Sequence, residues 1–202
     1  MFVQVIRGRV SDPDRFGAQL RRWQTDLAPG ALGWLGSTAG VTEDGQALAV
    51  ARFESPEAAQ RNGDRPEQTA WWDETAALFS GDPVFHDSTS VEVDLAGDPD
   101  RAGFVQVMEG RTSDPERARR LLAEDPTDWR SYRPEILGTL SLEHDGDAWT
   151  MVMYFSSEAA AREGEQREAP PESQAVMKEL GTLMLGEPTF YDLKEPWMSA
   201  PS

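Results

Sequence analysis

The chain has 202 residues, with 36 acidic against 19 basic side chains and a formal net charge of −17. This charge repels phosphate backbones and anionic bilayers, so the sequence argues against nucleic-acid binding and against membrane-surface binding. The absence of cysteine excludes disulfides, thiolate metal sites and a cysteine nucleophile. No leader-like segment precedes the first strand, and no apolar stretch reaches the ~20 residues that a bilayer span needs. These features predict a cytoplasmic protein.

The chain repeats itself with an offset of 102 residues. The stretch FVQVIRGRVSDPDR at residues 2–15 returns as FVQVMEGRTSDPER at residues 104–117. Later landmarks return in the same order, since GDPVF at residues 81–85 is matched by GEPTF at residues 186–190, where the offset has grown to 105. An internal repeat of this length predicts two copies of one domain. We assign residues 1–95 to copy one, residues 96–103 to a polar linker and residues 104–202 to copy two.

The first copy opens with a strand followed by a helix. Apolar side chains alternate over residues 2–10, which is typical of a strand. Ser11-Asp12-Pro13 is a helix-start signal, because a capping side chain precedes a proline at a position where no amide is needed. One apolar helix face then follows at spacings of four, three and four, formed by Phe16, Leu20, Trp23 and Leu27.

The rest of the copy predicts a hairpin, a broken helix and a last strand. Residues 34–42 and 46–53 read as two strands, joined by the turn signal Glu43-Asp44-Gly45. A helical region begins at Ser55-Pro56, breaks near residues 63–66 and resumes over residues 67–79. The last strand is predicted over residues 84–95, with an interruption at Asp87-Ser88.

This order, βαββαβ, is the ferredoxin-like arrangement, and it predicts the α+β class with all helices on one face of an antiparallel sheet. The other sheet face needs a cover, and a second copy in the same chain provides one. We therefore expect two tandem ferredoxin-like repeats that form an intrachain pseudo-dimeric α/β-barrel.

Two matching segments carry a resemblance to a known superfamily. They are FESPEAA at residues 53–59 and FSSEAA at residues 155–160, where a strand ends in an aromatic and a helix begins. In these segments and in its element order the chain resembles the dimeric α/β-barrel superfamily, near the antibiotic-biosynthesis-monooxygenase domains and, more narrowly, bacterial tandem-barrel proteins. The resemblance implies the fold. For chemistry it spans cofactor-free oxygenases, heme-degrading enzymes, chlorite-dismutase-like proteins, cyclases and members without known activity.

The two copies differ most along their third strand. If Phe53 points into the barrel on the helix-free sheet face, as the resemblance implies, then Ala47, Ala49 and Ala51 do so too, because side chains alternate along a strand. Copy two carries large residues at the corresponding positions, namely Trp149, Met151, Met153 and Phe155. Either the alanines line a ligand pocket in copy one, or the large side chains of copy two reach across the barrel and fill that space.

The second helical region of copy one holds the remaining candidates. In heme-degrading relatives this helix presents an axial histidine, and here Trp71 or Trp72 stands nearest that place, which counts against heme. Cofactor-free oxygenase relatives place Trp, Asn and Arg around an aromatic substrate. By that resemblance Asn62 would steady an oxyanion, Trp72 or Trp71 would shape an apolar slot, and Arg65 would meet an anion. The alternative is that one of the tryptophans only packs under the sheet and that Arg65 is an exposed surface residue.

Gln4 and the histidines complete the set of candidates. Gln4 lies on the face of strand one that carries Phe2 and Ile6, where it would orient a polar ligand or, together with Gln106, bridge the two copies. His86 is a candidate acid or base, although a histidine at a strand end is more often structural. With two histidines and no cysteine, a metal site is not expected.

The sequence thus leads to two hypotheses and no cofactor. The first is a small-molecule-binding barrel protein, a monomer or homodimer, that acts as a cofactor-free monooxygenase on an apolar, aromatic or quinol-type compound. Its catalytic residues would be Asn62, Trp72 and His86. Its substrate-binding residues would be Gln4, Ala47, Ala49, Ala51, Phe53, Arg65 and Trp71. The second hypothesis is a non-catalytic ligand-binding or interaction protein of the same fold.

Overall fold

The computed structural model describes residues 1–95 and 97–201, so Ala96 of the expected linker and the terminal Ser202 lie outside the described residues. The strands are β1 Phe2–Arg9, β2 Trp34–Val41, β3 Gln46–Phe53, β4 Val84–Ser88, β5 Ser90–Asp94, β6 Phe104–Arg111, β7 Ile136–His144, β8 Ala148–Phe155, β9 Thr189–Leu193 and β10 Trp197–Ser199. The α-helices are α1 Pro13–Arg22, α2 Pro56–Gly63, α3 Pro66–Ala76, α4 Pro115–Glu124, α5 Trp129–Tyr132, α6 Glu158–Glu165 and α7 Pro171–Leu183.

Local sequence signals account for where these elements begin and turn. The Asp12 carboxylate caps α1 by accepting a 3.0 Å hydrogen bond from the backbone N–H of Arg15. Its repeat, Asp114, caps α4 in the same way. In the β2–β3 hairpin Gly45 has a φ of +86°, a backbone conformation that glycine adopts without a steric penalty.

The strands form two antiparallel five-stranded sheets. Their orders are β10-β2-β3-β1-β4 and β5-β7-β8-β6-β9. Each sheet therefore contains the four strands of one ferredoxin-like repeat and a fifth strand from the end of the other copy. The fold is α+β with two tandem ferredoxin-like repeats, as expected.

The fifth strands move the domain boundaries away from the expected ones. The last strand of copy one, expected over residues 84–95, divides at Thr89, so that β4 remains in the first sheet and β5 joins the second. The chain forms unit 1 from residues 1–91 together with the C-terminal residues from Leu193 onward, and unit 2 from residues 92–192. The described part of the expected linker therefore belongs to unit 2.

In unit 1 the alanine row faces the helices, and the expectation that it occupies the helix-free face is wrong. Cross-strand pairing places Ala47, Ala49, Ala51 and Phe53 beside Gly8, Ile6, Gln4 and Phe2 on one sheet face. Phe53 packs there with residues that precede β2 or lie in α2, namely Ala31 and Ala58. Alternation along a strand determines which residues share a face, but the path of the connecting chain decides which face receives the helices.

Among the described residues, no helix is both long enough and apolar enough to cross a bilayer.

Candidate functional site

Unit 1 contains a cavity of about 300 Å³ between its helices and the inner face of its sheet. Five tryptophans form most of the wall, namely Trp23, Trp34, Trp71, Trp72 and Trp197. The sheet contributes the floor, formed by Gln4, Ile6, Ala39, Ala49, Ala51 and Phe53. A few further polar side chains reach the cavity, namely Ser37, Asn62, Gln68, Thr69 and Ser199. The volume is at the lower end of the range of about 300–1,000 Å³ that is typical of small-molecule sites.

Small side chains in neighbouring strands create the space. Ala49 of β3 pairs with Ala39 of β2 on one side and with Ile6 of β1 on the other. Ala51 pairs in the same way with Ser37 and Gln4. Protein interiors are normally close-packed, so a floor of methyl groups beneath a layer of indoles leaves a hollow. The expected link between the alanines and a pocket therefore rests on Ala49, Ala51 and Phe53. Ala47 lies outside the cavity, in a core cluster with Val10, Phe16 and Leu78.

Hydrogen bonds fix three of the five indoles. The N–H of Trp71 donates to the backbone oxygen of Gln19 at 2.9 Å. The N–H of Trp23 donates to Oε1 of Gln68 at 2.6 Å, and that of Trp34 donates to Oγ of Ser37 at 2.9 Å. An indole whose N–H is satisfied in this way is a rigid apolar surface. The wall is therefore largely formed before any ligand arrives.

Trp23 is presented by a π-helical turn that extends α1 over Trp23–Leu27. Wide turns of this kind are rare and often accompany functional sites. The α1 periodicity includes Trp23 but gives no sign that the helix widens at this residue. In copy two, α4 ends at Glu124 and no such turn follows it within the described residues.

Trp72 is half-buried at the side of the cavity. Its ring meets Phe85 of β4 edge-to-face, with 5.4 Å between centroids, and lies 6.1 Å from the ring of Trp71. Within residues 1–95 and 97–201 its indole N–H makes no hydrogen bond. Of the tryptophan pair identified in the sequence, Trp71 is therefore anchored, whereas Trp72 keeps a donor available.

Asn62 is the most buried polar side chain of the lining, with 7% of its surface exposed. Its Oδ1 accepts a 2.9 Å hydrogen bond from Nη1 of Arg65. The same nitrogen donates to the backbone oxygen of Leu27 at 3.0 Å, while Nε of Arg65 pairs with Glu67 at 2.9 Å. Because Oδ1 is engaged, the amide nitrogen of Asn62 is the group left for the cavity, and no described residue accepts from it. Arg65 thus orients Asn62 and does not itself line the cavity.

No charged side chain lines the cavity among the described residues. The lining also lacks imidazole, thiol and carboxylate groups, so it offers a metal ion none of the side chains that usually bind one. A full charge would be costly to desolvate here without a partner. The site is therefore suited to a neutral, largely apolar ligand that carries a hydrogen-bond acceptor.

Gln4 lies in the floor and donates from Nε2 to Oδ1 of Asp87 at 2.8 Å. Its repeat, Gln106, donates to Asp192 at 2.9 Å. Asp87 and Asp192 are themselves repeat equivalents. Each glutamine is therefore hydrogen-bonded to an aspartate of its own unit. These bonds do not support the hypothesis that Gln4 and Gln106 bridge the two copies.

His86 is not brought into the cavity. Along β4, Phe85 pairs with Ile6 and His86 pairs with Val5. Neighbouring residues of a strand point to opposite faces, so Phe85 reaches the cavity and His86 lies on the other face of the sheet.

Unit 2 has a hollow at the equivalent place, with a volume of about 500 Å³. The cavity beside Ala49 and Ala51 in unit 1 is open and is not lined by Trp149, Met151 or Met153, so the alternative that these side chains of copy two fill it is wrong. Met153 lines the hollow of its own unit. The indole of Trp149 lies over Gly110 in the adjacent strand, so close that a Cβ on that glycine would collide with it. Trp149 and Met153 thus pack against residues of their own unit.

The hollow of unit 2 is chemically different. Four charged side chains line it, namely Arg133, Arg162, Glu165 and Asp192. They form ion pairs with each other and with their neighbours, such as Arg162 with Asp192 and Arg133 with Glu135. Gly164 replaces Asn62 here, and the Arg133–Glu135 pair occupies the space beside it. Since these charges already neutralise one another, unit 1 is the better candidate for an apolar ligand.

Several lining residues were missed from the sequence, chiefly Trp23, Trp34, Phe85, Trp197 and Ser199. For Phe85 a signal was present, because alternation along β4 sets it opposite His86. For Trp197 the sequence signal was weaker. Its repeat equivalent is Glu92, and the two can be compared only once β10 is known to join the first sheet and β5 the second.

Three solved structures resemble the chain over almost its whole length. A candidate monooxygenase from Lactobacillus acidophilus NCFM has a TM-score of 0.74 at 11% identity, covering 98% of this chain and 95% of its own. A candidate monooxygenase from Fusobacterium nucleatum has a TM-score of 0.75 at 9% identity, covering 100% and 94%. An anthrone oxidase-like protein has a TM-score of 0.66 at 11% identity, covering 99% and 94%.

The chain shares their fold. At such low identity the likeness extends to the fold alone. No family model matches the sequence, and no curated protein matches it.

Proposed function

We propose that unit 1 binds a neutral aromatic phenol and acts on it as a cofactor-free monooxygenase. The observation that carries this proposal is the cavity itself, where an apolar wall of tryptophans surrounds one buried amide donor whose oxygen is already engaged by Arg65. Aromatic walls favour flat apolar rings, and an isolated amide N–H selects a ring that carries an oxygen.

The reaction consists of direct oxygenation of the ring by O₂. A phenol with a free para carbon reacts with one O₂ to give a quinone and one water. One oxygen atom becomes the new carbonyl, and the other leaves as water with the phenolic hydrogen and the displaced ring hydrogen. The phenol loses four electrons and O₂ gains them, so no other oxidant or reductant is consumed.

In this reaction the chain's own groups bind and orient the substrate. The Asn62 amide donates to the phenolic oxygen and stabilises the negative charge that develops there as solvent water takes the phenolic proton, before oxygen attacks. Trp72 and Phe85 hold one edge of the ring, Trp71 forms the fixed wall, and Ala49 and Ala51 leave room for the ring on the floor. His86 has no role in this proposal because it lies on the opposite sheet face.

A second function, non-catalytic binding of the same ligand, is favoured by one observation. No carboxylate, imidazole or amine of the described residues lines the cavity, so no side chain there accepts the phenolic proton. A binding protein needs no such group. The two functions share the ligand and differ only in turnover.

Oxygen uptake with 1-naphthol, whose quinone product has a distinct absorbance, tests the proposal against a blank without protein. The key variant is Asn62→Asp, which keeps an oxygen for Arg65 but replaces the donor with a group that repels the phenolic oxygen. We expect its turnover to fall by about 10²-fold, as when an oxyanion donor is removed elsewhere. Trp72→Ala should lower turnover as well.

The repeat provides a matched control. Phe85→Ala removes a lining residue in unit 1, and Phe190→Ala removes its equivalent in unit 2. Turnover should fall only in the first variant. Tight binding of 1-naphthol without turnover would favour the binding protein, whereas no binding by folded wild-type protein would reject both functions.

A further inference from the structure

The C-terminal strand contributes a wall to the cavity of unit 1. Strand β10 pairs antiparallel with β2 at the edge of the first sheet, with Trp197 opposite Ala39 and Ser199 opposite Ser37. Residues paired in this way share a sheet face, and all four line the cavity. The cavity is therefore incomplete without residues that lie more than a hundred positions away from β2 in the chain.

Trp197 reaches from the sheet edge to helix α1. Its Cζ2 atom lies 2.8 Å from the place that a Cβ on Gly17 would occupy, which is too close for any side chain at that position. Its ring centroid is 6.3 Å from that of Phe16. The indole is half-buried between the edge strand and the helix, so it closes the cavity at the β2 side.

The second copy shows that this wall is not a requirement of the fold. In the later part of the repeat, where the offset is 105, Trp197 corresponds to Glu92 of β5. In the earlier part, where the offset is 102, Gly17 corresponds to Arg119 of α4. In unit 2 the Nε of Arg119 donates to Oε1 of Glu143 at 3.1 Å, and the charge of Glu92 also acts on Arg119. An indole over a glycine in unit 1 thus replaces a charged cluster in unit 2. The large and the small residue change together, as they must if the indole is to fit.

We propose that Trp197 is a specificity-determining residue that limits the size of the aromatic ligand in the unit 1 cavity. The inference rests on the proposed function, because it concerns the same site. Small phenols fit in front of the indole, and larger fused-ring phenols collide with it. Removal of the indole opens the cavity along the edge strand, towards the space above Gly17.

The test compares the binding of two probes by calorimetry, 1-naphthol with two fused rings and 1-hydroxypyrene with four. Wild-type protein should prefer 1-naphthol. Trp197→Ala should gain affinity for 1-hydroxypyrene by about tenfold or more, while its affinity for 1-naphthol changes less, so that the ratio of the two dissociation constants reverses. Trp197→Leu keeps an apolar side chain over Gly17 and should give an intermediate ratio, which protects the test if the alanine variant does not fold.

Glu92→Ala is the control, since it alters the equivalent position of unit 2 and should leave the ratio at its wild-type value. An equal loss of affinity for both probes in the Trp197 variants would show that the indole only stabilises the fold. That result would overturn this inference but not the proposed function. Failure of folded wild-type protein to bind either probe would instead overturn the proposed function, and the inference with it.

Discussion

At the scale of single residues, the central feature of the site is that the oxygen and the nitrogen of the Asn62 amide have different partners. Arg65 takes the oxygen, and the nitrogen remains for a ligand. The guanidinium is itself held by Leu27 and Glu67, so these two contacts of Arg65 set the orientation of the amide. The sequence identified both residues but assigned Arg65 to an anion. Their contact depends on how the loop between α2 and α3 folds back on the end of the π-helical turn.

In unit 2 the corresponding residue-scale feature is the Glu135 carboxylate, whose side chain is 5% exposed. Burial alone would raise its pKa, but hydrogen bonds from Arg133 and from the backbone, with the charges of Arg133 and Arg167, hold the pKa below its ordinary value of 4.5. A carboxyl group whose pKa is lowered by folding stabilises the folded state above its unfolded pKa. This contribution is lost as the pH falls through the folded pKa.

We therefore expect Glu135→Gln to lose about 1–3 kcal/mol of unfolding free energy at pH 7, since a buried charged hydrogen bond is removed. The difference from wild type should shrink as the pH falls below 4.5. Urea denaturation between pH 3 and pH 7, as rough limits, measures it. Glu163→Gln is the control, because that side chain is 76% exposed and should keep the wild-type acid profile. A Glu135→Gln penalty that stays constant over this pH range would contradict the assignment.

At the scale of elements, two glycines have equally empty surroundings but differ in backbone conformation. Gly181 lies within α7 and Gly186 lies in the turn before β9, and a Cβ on either would meet no atom within 4 Å. Only Gly186 has a positive φ, +90°.

Gly181→Ala should therefore stabilise the protein by about 0.5–1 kcal/mol, because alanine favours the helix. Gly186→Ala should destabilise it by about 1–2 kcal/mol, because a side chain disfavours that φ. Thermal unfolding of the two variants against wild type measures both effects. If the Tm of both variants shifts in the same direction, the empty space around the two glycines and not their backbone conformation would determine the effect on stability.

The exchange of edge strands is the other feature at this scale. Strand β5 leaves copy one to join the sheet of unit 2, and β10 joins the sheet of unit 1. An edge strand presents unpaired backbone groups, and each exchanged strand covers the β2 or β7 edge of the other sheet. The exchange is also what brings Trp197 to the cavity.

At the scale of the whole molecule, the net charge of −17 is the dominant electrostatic property. Most guanidinium groups in the described residues form surface ion pairs, which contribute little individually. The excess of carboxylates remains and repels itself, which opposes the compact state.

Moderate salt should therefore stabilise the protein. Between about 10 mM and 200 mM NaCl, screening shortens the range of repulsion, and we expect a gain on the order of 1 kcal/mol, or roughly 2–4 °C in Tm for a chain of this size. Scanning calorimetry with NaCl and KCl checks that the effect follows ionic strength and not one cation. A Tm that falls with salt would mean that the surface ion pairs outweigh the net repulsion.

The sequence by itself determined the repeat, the order of elements, the helix caps and the fact that Ala49, Ala51 and Phe53 share one face of their strand. These follow from local rules, because alternation, capping and turn signals act over a few residues. The same signals occur in both copies of the repeat. It also drew attention to Asn62 and Trp72, both of which line the cavity.

Only the tertiary structure decided which face of the sheet receives the helices, where β5 and β10 pair, and how Arg65 orients Asn62. Each depends on contacts between residues far apart in the chain, which for Arg65 is its bond to Leu27, and no local pattern encodes them. For the same reason Ala47 falls in the core, His86 falls on the far face, and a tryptophan near the C-terminus forms a wall of a cavity in the first repeat.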